Sequence, residues 1–303
     1  MRYFVFIVFM LMLPISIFSQ ERMLMTSQYV HNQYFINPAF AGSRETLSLF
    51  GSYRQQWVNS PNPPTSMNFS AHAPLKNERI ALGLYVYDES YTVFKNTRAT
   101  VSYTYRLFTG TGSKIALSLN AGFSTANYGR LDIYHIDPDE VFEEEFETDN
   151  KPVLGFGAAW YGNNFFAGFS VYDFFSREPF DYTKSLFALG KSSYLLTGGY
   201  LFDINNKLKL QPSMLLKFGK DIATLADFSA SAIIGDMVWA GGTYRTNKEI
   251  AVMFGFQIFP QLKITYSYDL PTGELKKFNV GSHEVSLQFN FGYKIITESP
   301  KFF

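Results

Sequence analysis

The chain has 303 residues, 26 basic against 26 acidic side chains, and no cysteine. With no cationic excess to neutralise phosphates, the balance argues against a general nucleic-acid role, and the lack of thiols removes disulfides, thiolate metal sites, cysteine nucleophiles and lipidation of an N-terminal Cys. Aromatic residues make up 18% and charged residues only 17%. That departs from a soluble enzyme, because so much ring surface must be buried or face something other than water.

The opening segment, MRYFVFIVFMLMLPISIFSQ, sets Arg2 before an apolar run from Tyr3 to Leu13, a break at Pro14 and a small Ser19 ahead of Gln20. This is the order of a secretory signal peptide, residues 1–19, whose core is too short to span a bilayer. No later stretch reaches the ~18–20 continuous apolar residues of a transmembrane helix, so any membrane insertion must use strands.

Residues 20–45 form a polar and aromatic segment containing SQYVHNQYFINPAFAGS, Ser27 to Ser43. Asn37-Pro38 favours a turn, and Gly42 can take conformations that other residues avoid. The segment is expected outside the sheet wall, on the periplasmic side or folded into a lumen, as a docking or plug element.

From residue 46 to 303 the pattern has period two. Ile115, Leu117, Leu119, Ala121 and Phe123 interleave with Ala116, Ser118, Asn120 and Gly122; Val101, Tyr103 and Tyr105 interleave with Arg98, Thr100, Ser102, Thr104 and Arg106. Turn chemistry separates such runs into fourteen strands, at about 46–55, 64–73, 79–88, 97–107, 113–123, 153–161, 164–175, 192–202, 207–218, 223–234, 237–246, 249–258, 261–270 and 282–293. The fold class expected is all-β, a 14-stranded antiparallel transmembrane β-barrel of the outer membrane. An even count suits single-chain bacterial barrels, and ten residues at about 3.3 Å each, tilted by about 40°, cross an apolar band of about 25 Å.

Loop lengths test this independently, since membrane barrels keep short turns at the periplasmic end. Every even-to-odd connection is short, whereas 56–63, 89–96, 124–152, 176–191 and 271–281 are long and all odd-to-even. A soluble β-sandwich has no reason to sort its loops so, nor to carry Arg, Lys, Gln, Asn and Ser inward. Tyr105, Phe108, Tyr161, Phe165, Phe174, Phe175, Tyr268 and Tyr293 sit where interface girdles form, although strands favour aromatics anyway.

Little here points to catalysis. His31, His72, His135 and His283 are scattered outside any zinc frame, and no cofactor is implied. Ser70 and His72 share a face, an arrangement common by chance. Gly110, Gly112, Gly155 and Gly157 lack the following helix of a phosphate cradle and read as turns or close strand approaches. Residues 130–151 carry nine carboxylates in an outward loop that could gather a divalent cation or steer a basic partner; without calcium-loop spacing it reads first as a solvated loop.

After the N-terminal segment come Arg54-Gln55-Gln56-Trp57, then Pro64-Thr65, His72, Pro74 and Leu75. With the Q-Y-x-x-N-P-A-F-A-G stretch ending at Gly42 and the S-Y-T-Y-R of 102–106, these make the chain resemble the PorP/SprF family of type IX secretion system outer-membrane proteins of Bacteroidetes, from about residue 26 onward. The resemblance implies a non-enzymatic barrel that binds machinery components, a periplasmic ring or peptidoglycan-linked proteins, or supports export and surface attachment of adhesins with type B C-terminal domains, gliding-type adhesins among them. Asn37, Pro38, Gly42, Arg54, Gln56, Trp57 and His72 are the candidate partner-contact or structural motif residues. The alternative is a porin or substrate-selective channel with Arg54, Arg98, Arg106, Lys209, Lys217 and Lys263 as a basic wall. Asp269 and Glu284, also inward, favour charge-paired filling of a closed barrel instead.

Overall fold

The structure, a computed structural model, describes residues 26–92, 94–110, 112–128, 147–172, 192–219, 222–273, 276 and 280–292. The signal-peptide reading, residues 130–146 of the acidic segment, and Phe174, Phe175 and Tyr293 lie outside them.

The strands are β1 (Leu47–Gln55), β2 (Thr65–Pro74), β3 (Ile80–Tyr91), β4 (Phe94–Phe108), β5 (Lys114–Tyr128), β6 (Glu147–Tyr161) and β7 (Phe165–Tyr172). Next comes β8, in two pieces (Ser193–Tyr200 and Phe202–Asn205) that both pair with β9 (Leu208–Gly219). The last five are β10 (Ile222–Ile234), β11 (Val238–Arg245), β12 (Glu249–Phe259), β13 (Leu262–Pro271) and β14 (Ser282–Phe291). All neighbours are antiparallel, and β14 returns to β1 in a register running from Leu47↔Phe291 to Gln55↔His283. The sheet therefore closes into a fourteen-stranded barrel with no unpaired edge, which is how strands satisfy their backbone in hydrocarbon.

Alternation sets the two faces. Along β5, Leu119 and Phe123 are 66% and 70% exposed while Ser118 and Asn120 are 2% and 5%. The outward residues are mostly Leu, Val, Phe and Tyr, and the inward ones mostly Ser, Thr, Gly and charged groups. Among the described residues no helix is long and apolar enough to cross a membrane.

Two expectations need correcting. The connection at 89–96 is no long loop: β3 and β4 stay paired up to Tyr91↔Phe94, and β5 and β6 likewise run on to Tyr128↔Glu147. Asp88, Glu89 and Ser90 hide the alternation there, because strands rising above an apolar band meet water on both faces while the backbone ladder continues. Tyr161 is not a girdle residue. It is 4% exposed and packs inward against Phe40, ring centroids 5.7 Å apart.

The core of the molecule lies in the lumen. Every residue from Thr26 to Ser43 is buried, including the single-turn helix α1 (Gln33–Ile36) and a 3₁₀ turn at Pro38–Phe40. Two apolar clusters join this segment to the wall: Tyr29, Tyr34, Phe35 and Ile36 with Tyr85, Tyr87, Tyr172 and Leu215, and Phe40 with Tyr161, Phe166, Ile233 and Trp239.

Candidate functional site

The lumen segment meets the wall through its own sequence motif. Asn37 caps the 3₁₀ turn, its Oδ1 accepting the Ala39 N–H at 2.9 Å. Its Nδ2 donates to the carbonyls of Ala158 on β6 and Phe169 on β7, at 2.9 and 3.2 Å. Those two residues oppose each other in register, so one amide ties two strands. The approach is possible because the neighbouring inward positions are Gly157 and Gly168, where a Cβ would collide with the Asn37 side chain. Pro38 supplies the first position of the turn without wasting a donor, and its carbonyl accepts from Thr104 Oγ1 at 3.0 Å.

Gly42 has φ +70°, a conformation costly for any residue with a Cβ, and a Cβ there would lie 2.7 Å from that of Ala81. The Gly42 N–H donates to His72 Nδ1 at 3.0 Å and its carbonyl accepts from Arg106 at 2.7 Å. The imidazole also packs on Tyr34, 5.0 Å between centroids. Ser70 Oγ, two residues before His72, accepts from Asn32 Nδ2 at 3.2 Å, so both members of that pair are engaged by the lumen segment.

At the other end of the lumen, Thr26 and Ser27 enter a buried charge network. Arg54 lies 2.5 Å from Asp269 and 3.1 Å from Glu284; Arg245 lies 3.0 Å from Asp227 and 2.7 Å from Glu249; Lys217 lies 3.5 Å from Asp227. Ser27 Oγ donates to the Asp269 carboxylate at 2.7 Å and its N–H to Glu284 at 2.9 Å, while Thr26 Oγ1 donates to Glu284 at 2.5 Å. Tyr29 joins the polar lining, its hydroxyl 3.0 and 3.1 Å from Ser213 and Ser229, and burial pushes the phenol up to about 12.

These contacts fix the path of the segment. Arg54 ends β1 at the long-loop rim, whereas Gly42 and Ser43 lead into the start of β1 at the short-turn rim. The first described residues thus sit at the long-loop end, and the chain traverses the lumen before the wall begins.

Of the candidate residues, Gly42 and His72 are in direct contact, Asn37 and Pro38 lie within the same turn system, and Arg54 belongs to the separate charge network. Gln56 and Trp57 are half-buried at the long-loop rim. The Trp57 N–H donates to Ser282 Oγ at 3.4 Å, and its ring packs edge-on with Tyr91. Sequence reasoning missed Ser27, Asp227, Glu249 and Arg245. Period two in β11 marks Thr243 and Arg245 as inward, but Gly241 and Gly242 dilute the signal. Among the described residues no group of three His, Asp or Glu side chains is placed to hold a metal.

The family model of the type IX secretion system membrane protein PorP/SprF matches residues 19–289. No curated protein matches the chain in sequence. Among solved structures the chain is similar to the CymD monoaromatic hydrocarbon channel, at 12% identity over 89% of this chain and 94% of that one, with a TM-score of 0.53. It also matches Omp33, an outer membrane protein of Acinetobacter baumannii, at 8% identity over 82% of this chain and 100% of that one, with a TM-score of 0.47. At such identity the CymD likeness speaks for the fold alone, and the Omp33 match adds no weight.

Proposed function

The chain belongs to the PorP/SprF family of type IX secretion system membrane proteins and forms a fourteen-stranded β-barrel of the outer membrane; from that premise we propose that it works by binding other proteins of the secretion pathway, and neither catalyses a reaction nor passes solutes. The observation that carries this reading is the filled lumen. A pore needs a continuous aqueous path, and here residues 26–43 occupy the interior, hydrogen-bonded to Asn37's strands, to His72 and to the Arg54 network. The inward charges that would line a basic channel are engaged: Arg54 and Lys217 pair with carboxylates, and Arg106 donates to Gly42.

Work at the rims is what this leaves. Short turns face periplasmic machinery, a ring or peptidoglycan-linked component, and the long-loop rim with Gln56 and Trp57 faces secreted adhesins carrying type B C-terminal domains. On this reading Asn37, Pro38, Gly42 and His72 hold the interior so that the rims keep their shape.

Crosslinking the intact protein in its native envelope, followed by identification of the attached chains, tests the proposal, together with conductance in planar bilayers. Silent bilayers and attached secretion components are expected. Steady ion-selective conductance from the unaltered protein, without attached components, would overturn it in favour of a channel.

A further inference from the structure

Independently of which proteins the rims bind, the outward face of β3 to β6 changes character along the strands. In the hydrocarbon band it holds an open groove of about 710 Å³, within the ~300–1,000 Å³ of sites that hold small molecules. Leu82, Tyr103 and Leu119 form one bank and Val101, Ala121 and Leu154 the other, each bank aligned across the strands by register. Between them the floor is backbone, with Gly83 and Gly155 at its two ends. The groove climbs from Leu82, near the short-turn end of β3, to Leu154, midway up β6. Its floor is held from behind: the Tyr34 hydroxyl lies 2.9 Å from Ser102 Oγ and presses on Gly83, where a Cβ would collide with it. The lumen segment thus backs a groove that is preformed for its occupant.

Above the groove the same face turns polar without becoming charged. Past Phe123 and Pro152, outward Thr97, Thr125 and Asn150 lie side by side in register, and Asn127 and Thr148 repeat the pattern one step higher. The pairs bond laterally, Thr125 Oγ1 donating to Asn150 Oδ1 at 2.7 Å and Thr148 Oγ1 to Asn127 Oδ1 at 2.9 Å. Each amide accepts through its oxygen, so its NH₂ is left as a donor beside threonine oxygens that can accept. Ala121 and Thr125 are roughly 13 Å apart along the strand, at about 3.3 Å per residue. What fits this face has an apolar tail and an uncharged head rich in hydroxyls. A phosphate head calls for a cluster of Arg or Lys, whereas among the described residues the cation on this ladder, Lys95, already has Asp88 at 3.7 Å.

We propose that the outward face of β3 to β6 binds one neutral glycolipid, with an acyl chain in the groove and the saccharide hydroxyls on the Thr125–Asn150 and Asn127–Thr148 pairs. The groove opens into the hydrocarbon phase, so its occupant comes from the bilayer. The climb towards Leu154 leads the head to the long-loop side, hence to the outer leaflet. Bound there, the lipid braces strands that stand clear of the membrane.

The test uses the full-length protein, stripped of lipid in detergent and returned to nanodiscs of phosphatidylethanolamine with equal small fractions of monogalactosyl diacylglycerol and phosphatidylglycerol. Native mass spectrometry, on release from the nanodisc, reads which lipid stays bound. One retained glycolipid per barrel, enriched over both phospholipids, is expected. Ala121→Trp, which fills the groove from the lipid side and leaves the lumen alone, should abolish retention, whereas Val252→Trp, at an exposed position on β12, should not. Thr125→Ala combined with Asn150→Ala should lower the preference for the glycolipid about tenfold, the worth of one or two hydrogen bonds, and leave phospholipid chains free to occupy the groove. Preferential retention of phosphatidylglycerol would mean phosphate recognition. No enrichment by the unaltered protein, equal enrichment by Ala121→Trp, or an unchanged preference in the double variant would mean passing boundary lipid. Any of these results overturns the proposal.

Discussion

Ser27 of the lumen segment and Asp269 of β13 are 242 positions apart in sequence, yet the Ser27 hydroxyl lies 2.7 Å from both oxygens of the Asp269 carboxylate. The same carboxylate takes a bond from Arg54 at 2.5 Å and lies 3.6 Å from Arg245. One buried side chain thus couples the start of the lumen segment to two walls of the barrel.

Removing Asp269 takes a carboxylate from two buried guanidinium groups, leaving Arg54 with Glu284 alone and Arg245 with Asp227 and Glu249, whereas removing the Ser27 hydroxyl loses only a hydrogen bond to a charged acceptor. Asp269→Ala should cost about 3–5 kcal/mol and Ser27→Ala about 1.5–3 kcal/mol. The double variant should cost less than the sum, because the two side chains share one network. Urea unfolding in detergent micelles measures all three, and strict additivity would refute the coupling.

The glycines under Asn37 make a sharper contrast. A side chain at Gly157 runs into Asn37, Pro38 and Ala39, while a Cβ at Gly198 meets only the Phe166 carbonyl at 3.6 Å. Gly157→Val should unseat the lumen segment and turn a silent barrel into a conducting one in planar bilayers; Gly198→Ala should stay silent. If Gly157→Val folds and remains silent, the segment is not what closes the lumen.

The chain contains no cysteine, so single cysteines can be read without background. A lipid-soluble maleimide should modify Leu119→Cys quickly and Asn120→Cys at least tenfold more slowly, an order-of-magnitude gap set by burial of the inward thiol. Similar rates at both positions would mean that protein, and not hydrocarbon, covers the outer face.

Acid should loosen the lumen segment through His31. Burial, then the Lys263 and Arg44 charges, hold its imidazole well below the ordinary histidine range. The unfolded chain therefore binds one more proton over the interval between that depressed value and about 6.5. Stability contributed by the neutral ring is complete above about pH 6.5 and falls as pH drops, by about 1.4 kcal/mol per unit. His31→Gln should remove that part of the slope between pH 6.5 and 5, as read from urea midpoints; identical slopes in both proteins would exclude it.

What the sequence made legible was whatever rests on local period. All fourteen strands emerge from alternation and turn residues, and Arg54, Asp269 and Glu284 stand out as lone charges among inward Ser and Thr. Which of them meet was not legible, because pairing depends on register: Arg54 faces Glu284 only through the β1–β14 seam, and Asp227 faces Arg245 only through β10–β11. The place of Ser27 depends on the path of a segment with little regular structure of its own. Gly157 could be read as a close approach, but not that the approaching chain is Asn37. Tyr161 followed strand-end statistics until an unforeseen Phe40 claimed its ring.

The lumen segment bears on how such a protein comes into being. Its residues are made before any strand, and the wall they support is finished only when β14 zips onto β1. A segment that precedes every strand cannot be threaded into the lumen after the hoop is sealed without breaking the Arg54 cluster at one rim or the Gly42 turn at the other. It is thus placed to serve as the mandrel on which the staves are wound.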